Sequence, residues 1–195
     1  MMLAAVDIGD ILREQEERPM KDPQNMTIRI LQPEDAEQYV ALRLEALQLN
    51  PEAFLTTYEE MMQDQNMRET WKARLSPSPD AFTMGAFWDG SLAGVCTLIR
   101  ESHRKLRHKA SVVAVYFTPA HRGKGGAKQL LSRLIEKARE LEGLEQLSLT
   151  VASNNEPARQ LYLSLGFTRY GTEKNALKHE GVYQDEDYMA MRLFP

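Results

Sequence analysis

The segment Val115-Tyr116-Phe117-Thr118-Pro119-Ala120-His121-Arg122-Gly123-Lys124-Gly125-Gly126-Ala127 decides how this chain is read. Upstream of it, Ser111 to Phe117 is a near-continuous apolar run, the pattern of a strand covered on both faces of a sheet. Pro119 ends that strand. Downstream, Leu130, Leu131, Leu134, Ile135, Ala138 and Leu141 fall on one face of a helix expected over 124–141, with Gly143 closing it. A glycine-rich turn therefore lies between a buried strand and the N-terminus of an amphipathic helix. Such an N-terminus offers unpaired N–H groups and a partial positive charge, and glycines let a diphosphate approach the backbone. Arg122, Lys124 and Lys128 add cationic side chains around the same point.

The ligand class follows partly by exclusion. A nucleoside-triphosphate loop needs Gly-Lys followed by Ser or Thr, and Lys124 is followed by Gly125. A dinucleotide fingerprint would need glycine where Lys128 stands and a chain opening with this unit. A glycine-rich turn with no ligand stays open from this segment alone.

Working outward, Met26 opens an alternating strand, Thr27 to Leu31, and Pro33-Glu34-Asp35 starts a helix that runs to Asn50-Pro51. A second helical stretch is expected over 59–75. Strands over 82–88 and 92–100 are joined by Asp89-Gly90, a strong hairpin signal. His103 to Lys109 reads as an exposed tip. Leu147, Leu149 and Val151 alternate in a further strand, a helix follows over 155–165, and Phe167 begins a strand expected to pair with 187–194. The order is β-α-α-β-β-β-α-β-α-β-β, an α/β fold with a mixed sheet and helices on its faces. Residues 1–25 are polar towards their end and read as an appendage, partly helical or disordered; 26–195 form the domain.

Composition sets the outer limits. The chain has 195 residues, 43% hydrophobic and 27% charged, enough for one packed domain. A formal charge of −4 speaks against a nucleic-acid partner, and no apolar run approaches the roughly 20 residues that span a bilayer. One cysteine, Cys96, excludes a disulfide framework and suggests a reducing, cytoplasmic setting. It reads as a buried apolar residue. The four histidines lack metal-ligand spacing, so no metal is expected.

Two segments together carry a resemblance. Val115 to Ala127 is similar to the "V-x-P-x-x-R-G-x-G-x-G/A" stretch of the GNAT superfamily (GCN5-related N-acetyltransferases). Asn155-Glu156-Pro157-Ala158-Arg159-Gln160-Leu161-Tyr162-Leu163-Ser164-Leu165-Gly166-Phe167 is similar to that family's "N-x-x-A-x-x-L-Y-x-x-x-G-F". The two occur in the family's order with a strand between them, and the resemblance covers everything after residue 25. It implies a splayed sheet and acetyl-CoA as co-substrate. The pyrophosphate would lie on Arg122, Gly123, Lys124, Gly125, Gly126, Ala127 and Lys128. Main-chain groups of Val115, Tyr116 and Phe117 would pair with the pantetheine arm, Asn155 would touch that arm, and Tyr162 would stand near the thioester sulfur as the catalytic donor.

The implied reaction is acetyl transfer to a primary amine of a small molecule or peptide by direct attack, in a monomer or homodimer. The alternative is a non-catalytic acyl-CoA sensor with the same fold. Many relatives carry a glutamate as general base near the start of the strand before the glycine turn, and Ser111 stands there in this chain. Glu59, Glu60, Asp64 and His108 are the other candidates, and the acids within 174–186 offer a place for an ammonium group.

Overall fold

The computed structural model describes residues 26–194; the expected appendage, 1–25, lies outside them. Seven strands form one sheet in the order β1-β2-β3-β4-β5-β7-β6. They are β1 (Met26–Ile30), β2 (Ala81–Trp88), β3 (Ser91–Arg100), β4 (Lys109–Phe117), β5 (Gln146–Ala152), β6 (Thr168–His179) and β7 (Val182–Arg192). The helices are α1 (Ala36–Leu49), α2 (Tyr58–Met62), α3 (Met67–Arg74), α4 (Gly126–Arg139) and α5 (Glu156–Ser164). The expected order holds apart from one division.

That division is in the helical stretch expected over 59–75, which is two short helices. Thr57 and Glu60 form a reciprocal capping box that starts α2. The chain then turns at Asp64, whose Oδ1 accepts from the Asn66 N–H at 2.9 Å. A short acid that captures a nearby N–H competes with the helix ladder, so the helix restarts at Met67.

One apolar layer lies between the sheet and α4 and α5, with Leu130, Leu131, Leu134, Leu147 and Phe167 fully buried. The opposite face is covered by α1 and α3, where Leu31, Tyr39, Ala46, Phe87 and Val95 pack together. Asp89-Gly90 makes the expected hairpin turn, with both residues at positive φ, 49° and 82°.

The sheet opens at its middle. β4 pairs with β5 in parallel only from Lys109–Gln146 to Ser111–Ser148. Beyond Ser111 the two strands part. On its other side β4 stays paired with β3, but Val95 opposes Tyr116 while Thr97 opposes Val113. Ala114 and Val115 thus share the single partner position of Cys96, a β-bulge, and Ala114 is held at φ 53°. A bulge bends and twists its strand, which turns the end of β4 away from β5. A non-glycine residue in the left-handed region costs ~1–2 kcal/mol, a strain the surrounding sheet maintains.

The C-terminal hairpin differs from expectation. Residues 174–186, between the strand expected to begin at Phe167 and the one expected over 187–194, belong to a long pair of strands, β6 and β7, joined by Glu180-Gly181 at φ 47° and 83°. A two-residue turn with both φ positive is the favoured hairpin geometry, but glutamate is not a residue that announces it.

Candidate active site

A cavity of about 650 Å³ occupies the split between β4 and β5. Val112 to Phe117 of β4 form one wall, and Thr150, Val151, Asn155, Ala158, Leu161 and Tyr162 form the other. Arg43 of α1 and the connection Ala53 to Thr56 cover one side, and Leu177 and Glu186 of the C-terminal hairpin close another. The edge of β4 beyond Ser111 has no β5 partner, so its main chain is available to a ligand lying along the split.

The glycine turn joins Arg122 to Ala127, which both line this cavity. Gly123 and Gly125 take φ of 75° and 80°, and a Cβ on either would meet nothing within 4 Å. Gly125 is the N-cap of α4 and supplies no side-chain acceptor, which leaves the first-turn N–H groups to a ligand. The open cradle at a helix N-terminus fits a diphosphate. Gly126 has a different reason to be glycine: a Cβ there would stand 2.5 Å from Cζ of Phe117.

The cationic side chains around the turn divide. Lys128 is exposed. Lys124 places Nζ 4.7 Å above the Trp88 ring, which stacks on His121 at 4.6 Å. Arg122 turns inward, its Nε donating to the Phe117 carbonyl at 2.9 Å and its Nη2 to Oδ1 of Asn50 at 3.2 Å. Its guanidinium fastens the end of β4 to the end of α1. The part of the turn open to an anion is therefore mainly backbone.

Asn155 caps α5, its Oδ1 accepting from the Ala158 N–H at 3.2 Å. It also lines the cavity. Tyr162, on the same helix, is 6% exposed, with its ring edge-on to Phe167 at 6.0 Å. Its hydroxyl donates to none of the described residues, while the residue faces the cavity. Burial, with the Cys96 thiol adjacent, pushes the Tyr162 pKa up, so the phenol keeps its proton. Cys96 is wholly buried, which pushes its thiol up as well and removes it as a nucleophile at neutral pH. Tyr116 projects from β4 to the α1 side, where its hydroxyl donates to Glu45 at 2.8 Å.

The cavity wall begins at Val112, one residue past Ser111, which pairs with Ile99 and Ser148. Glu60 is spent on the α2 capping box and Asp64 on its own turn. The His108 carbonyl accepts from the Glu145 and Gln146 N–H groups. The cavity's carboxylate is Glu186, on β7 between Ala152 of β5 and Glu173 of β6. Burial, then repulsion from Glu173, raises its pKa above the ordinary value of 4.5.

Its neighbour Asp187 holds it in place. Only 1% exposed, Asp187 accepts from Thr172 at 2.6 Å and Ser153 at 3.0 Å and pairs with Arg159 Nε at 2.9 Å. Burial opposes its charge, but those hydroxyls and the Arg169 and Arg159 guanidiniums outweigh that and keep its pKa low. The result is a rigid joint between the hairpin and α5 on the residue next to Glu186.

Sequence reasoning grouped Glu186 with a polar tail and overlooked Arg43. The latter had a signal: a cation four residues from both Tyr39 and Leu47, inside the apolar stripe of α1.

Known proteins resemble this chain in sequence and in fold. The model described as "Acetyltransferase (GNAT) family" matches residues 44–167. The L-amino acid N-acetyltransferase AaaT of Escherichia coli K12 is 27% identical over 152 residues, which cover 78% of this chain and 90% of that protein. An L-methionine sulfoximine/L-methionine sulfone acetyltransferase of Salmonella typhimurium is 46% identical over 80 residues, 41% of this chain and 46% of that protein. Among solved structures, yncA, a putative acetyltransferase from Salmonella typhimurium with its cofactor acetyl-CoA, superposes with a TM-score of 0.74. It is 26% identical, and the match covers 88% of this chain and 95% of that one.

Proposed function

Because this chain belongs to the GNAT acetyltransferase family, we propose that the split between β4 and β5 is where its N-acetyltransfer takes place, with Tyr162 and Glu186 as the proton-handling groups. The chain is an acetyl-CoA-dependent N-acetyltransferase. The observation that supports this site is the open edge of β4 on the cavity, beside a glycine cradle at the α4 N-terminus whose flanking residues, Arg122 and Ala127, line the same cavity.

Bound there, acetyl-CoA supplies an activated acetyl thioester. The N–H groups of Gly123, Lys124, Gly125, Gly126, Ala127 and Lys128 hold its pyrophosphate, and main-chain groups of Val115 to Phe117 hold its arm beside Asn155. Around the bulge at Ala114, the edge of β4 without a β5 partner can offer a backbone N–H to the negative charge developing on the thioester oxygen. The acceptor enters as a neutral amine. As its nitrogen bonds to the acetyl carbon it becomes acidic, and Glu186 accepts the released proton. The protonated phenol of Tyr162 donates to the departing sulfur.

Both relatives named above are described by small-molecule acceptors, L-amino acids and L-methionine sulfoximine or sulfone, which supports a small-molecule amine here. No described helix is long and apolar enough to cross a membrane, and a free, buried Cys96 suits a cytoplasmic setting. Turnover needs no metal in this scheme and is expected to survive chelation. Thiol release from acetyl-CoA over an amine panel is the test. Release that depends on the acceptor supports the assignment; tight acetyl-CoA binding with no release from any amine would make the protein an acyl-CoA sensor.

A further inference from the structure

We propose that Arg43 anchors an anionic group of the acceptor, so that the amine acetylated here carries a carboxylate. The inference rests on the β4–β5 cavity being the transfer site.

Arg43 lies on α1, on the cavity wall, and is partly buried. Its guanidinium carbon sits 4.2 Å above the Phe54 ring. Among the described residues it has no carboxylate within ion-pair distance and donates no hydrogen bond. Other partly buried arginines are paired: Arg29 with Asp35 at 2.6 Å, and Arg159 with Asp187 at 2.9 Å. Burial pulls the Arg43 pKa down, though a guanidinium keeps its charge throughout the physiological range.

A cation partly withdrawn from water without a counter-ion is costly, and a ligand anion would offset that cost. The stacking on Phe54 also orients the group. With its carbon over the ring and no donor spent on the described residues, the guanidinium keeps its N–H groups for a ligand, and a carboxylate is the anion that guanidinium can take through two parallel hydrogen bonds.

The charges of the cavity point the same way. Two guanidiniums, Arg43 and Arg122, and one carboxylate, Glu186, line it. Arg122 is spent on Phe117 and Asn50. A polyamine would bring several positive charges to a wall that is positive on balance. An amino acid with its amine neutral would set its carboxylate at Arg43 and its amine towards Glu186, with Phe54, Leu55, Leu161 and Leu177 supplying apolar contact between.

The test compares free L-amino acids with their carboxamides, their decarboxylated amines and spermidine. For wild type, kcat/KM should favour the free acid over the amide by roughly 10–100-fold, carried by KM. Arg43→Gln should bring that ratio to within about threefold. Arg43→Lys, which keeps charge and stem but loses the fork, should fall between them. Calorimetry of acid and amide on the coenzyme A-saturated protein reads the same preference without turnover.

Acid and amide used alike by wild type, a preference for spermidine, or a ratio unchanged in Arg43→Gln would overturn the inference. Turnover without carboxylate selectivity removes the Arg43 role and keeps the enzyme. Selective binding without turnover of any amine does the reverse.

Discussion

Gly126 opens α4 directly against Phe117, the last residue of β4, so closely that a Cβ would lie 2.5 Å from the ring's Cζ and 3.2 Å from the sulfur of Met26. Phe117 cannot retreat easily, because its ring also fills the space over Gly94, where a Cβ would stand 2.2 Å from Cδ2. The glycine cradle is thus pressed onto the end of the cavity wall. Gly126→Ala should destabilise the fold by ~1–3 kcal/mol through overpacking. Chemical denaturation is the measurement, and unchanged stability would mean the ring swings aside.

One residue earlier the space is open. Gly125→Glu sets a negative side chain where the pyrophosphate is proposed to lie, and acetyl-CoA affinity should drop at least roughly tenfold, ~1.4 kcal/mol. The φ of 80° strains any side chain, so Gly125→Asn, which tolerates that region, separates strain from charge. If calorimetry gives the folded Glu variant wild-type affinity, the cofactor lies elsewhere.

Tyr162→Phe keeps the ring against Phe167 and removes only the hydroxyl. A thiolate departs fairly well unprotonated, so turnover should fall by roughly 10–100-fold, the low part of the general-acid range. Coenzyme affinity should move by less than about threefold. Full activity would leave Tyr162 a core aromatic of α5.

Glu186 carries a pH signature. Its pKa is raised by burial and then by Glu173, so at low pH it is protonated and cannot accept a proton. Acceptor kcat/KM should therefore rise with pH through a point above 4.5, the ordinary value. In Glu186→Gln that acidic limb should vanish and turnover should drop by ~10²-fold or more. The limb set by the acceptor's own ammonium should remain in both proteins. An acidic limb that persists in the variant would assign it to another group.

Much of this protein was determined locally. The alternation of Thr27 to Leu31, the Asp89-Gly90 turn, the stripe Leu130 to Ala138 and the glycine run 123–126 are properties of chain neighbours, which a linear sequence displays. They determined the strand and helix order and the glycine turn at the head of α4. The divided helix at Asp64 and the hairpin at Glu180-Gly181 escaped, because a side-chain hydrogen bond and an untypical turn residue decided them. The cavity belongs to tertiary structure. Arg43, the Ala114 bulge and Glu186 come from the first helix, the central strand and the last strand, and their meeting depends on β4 leaving β5 after Ser111. Charge becomes informative there only through burial: Glu186 reads as one acid in an acidic tail, and Arg43 as one cation on a helix. The fold takes both partly out of water and into one cavity, where a charge without a counter-ion calls for a partner.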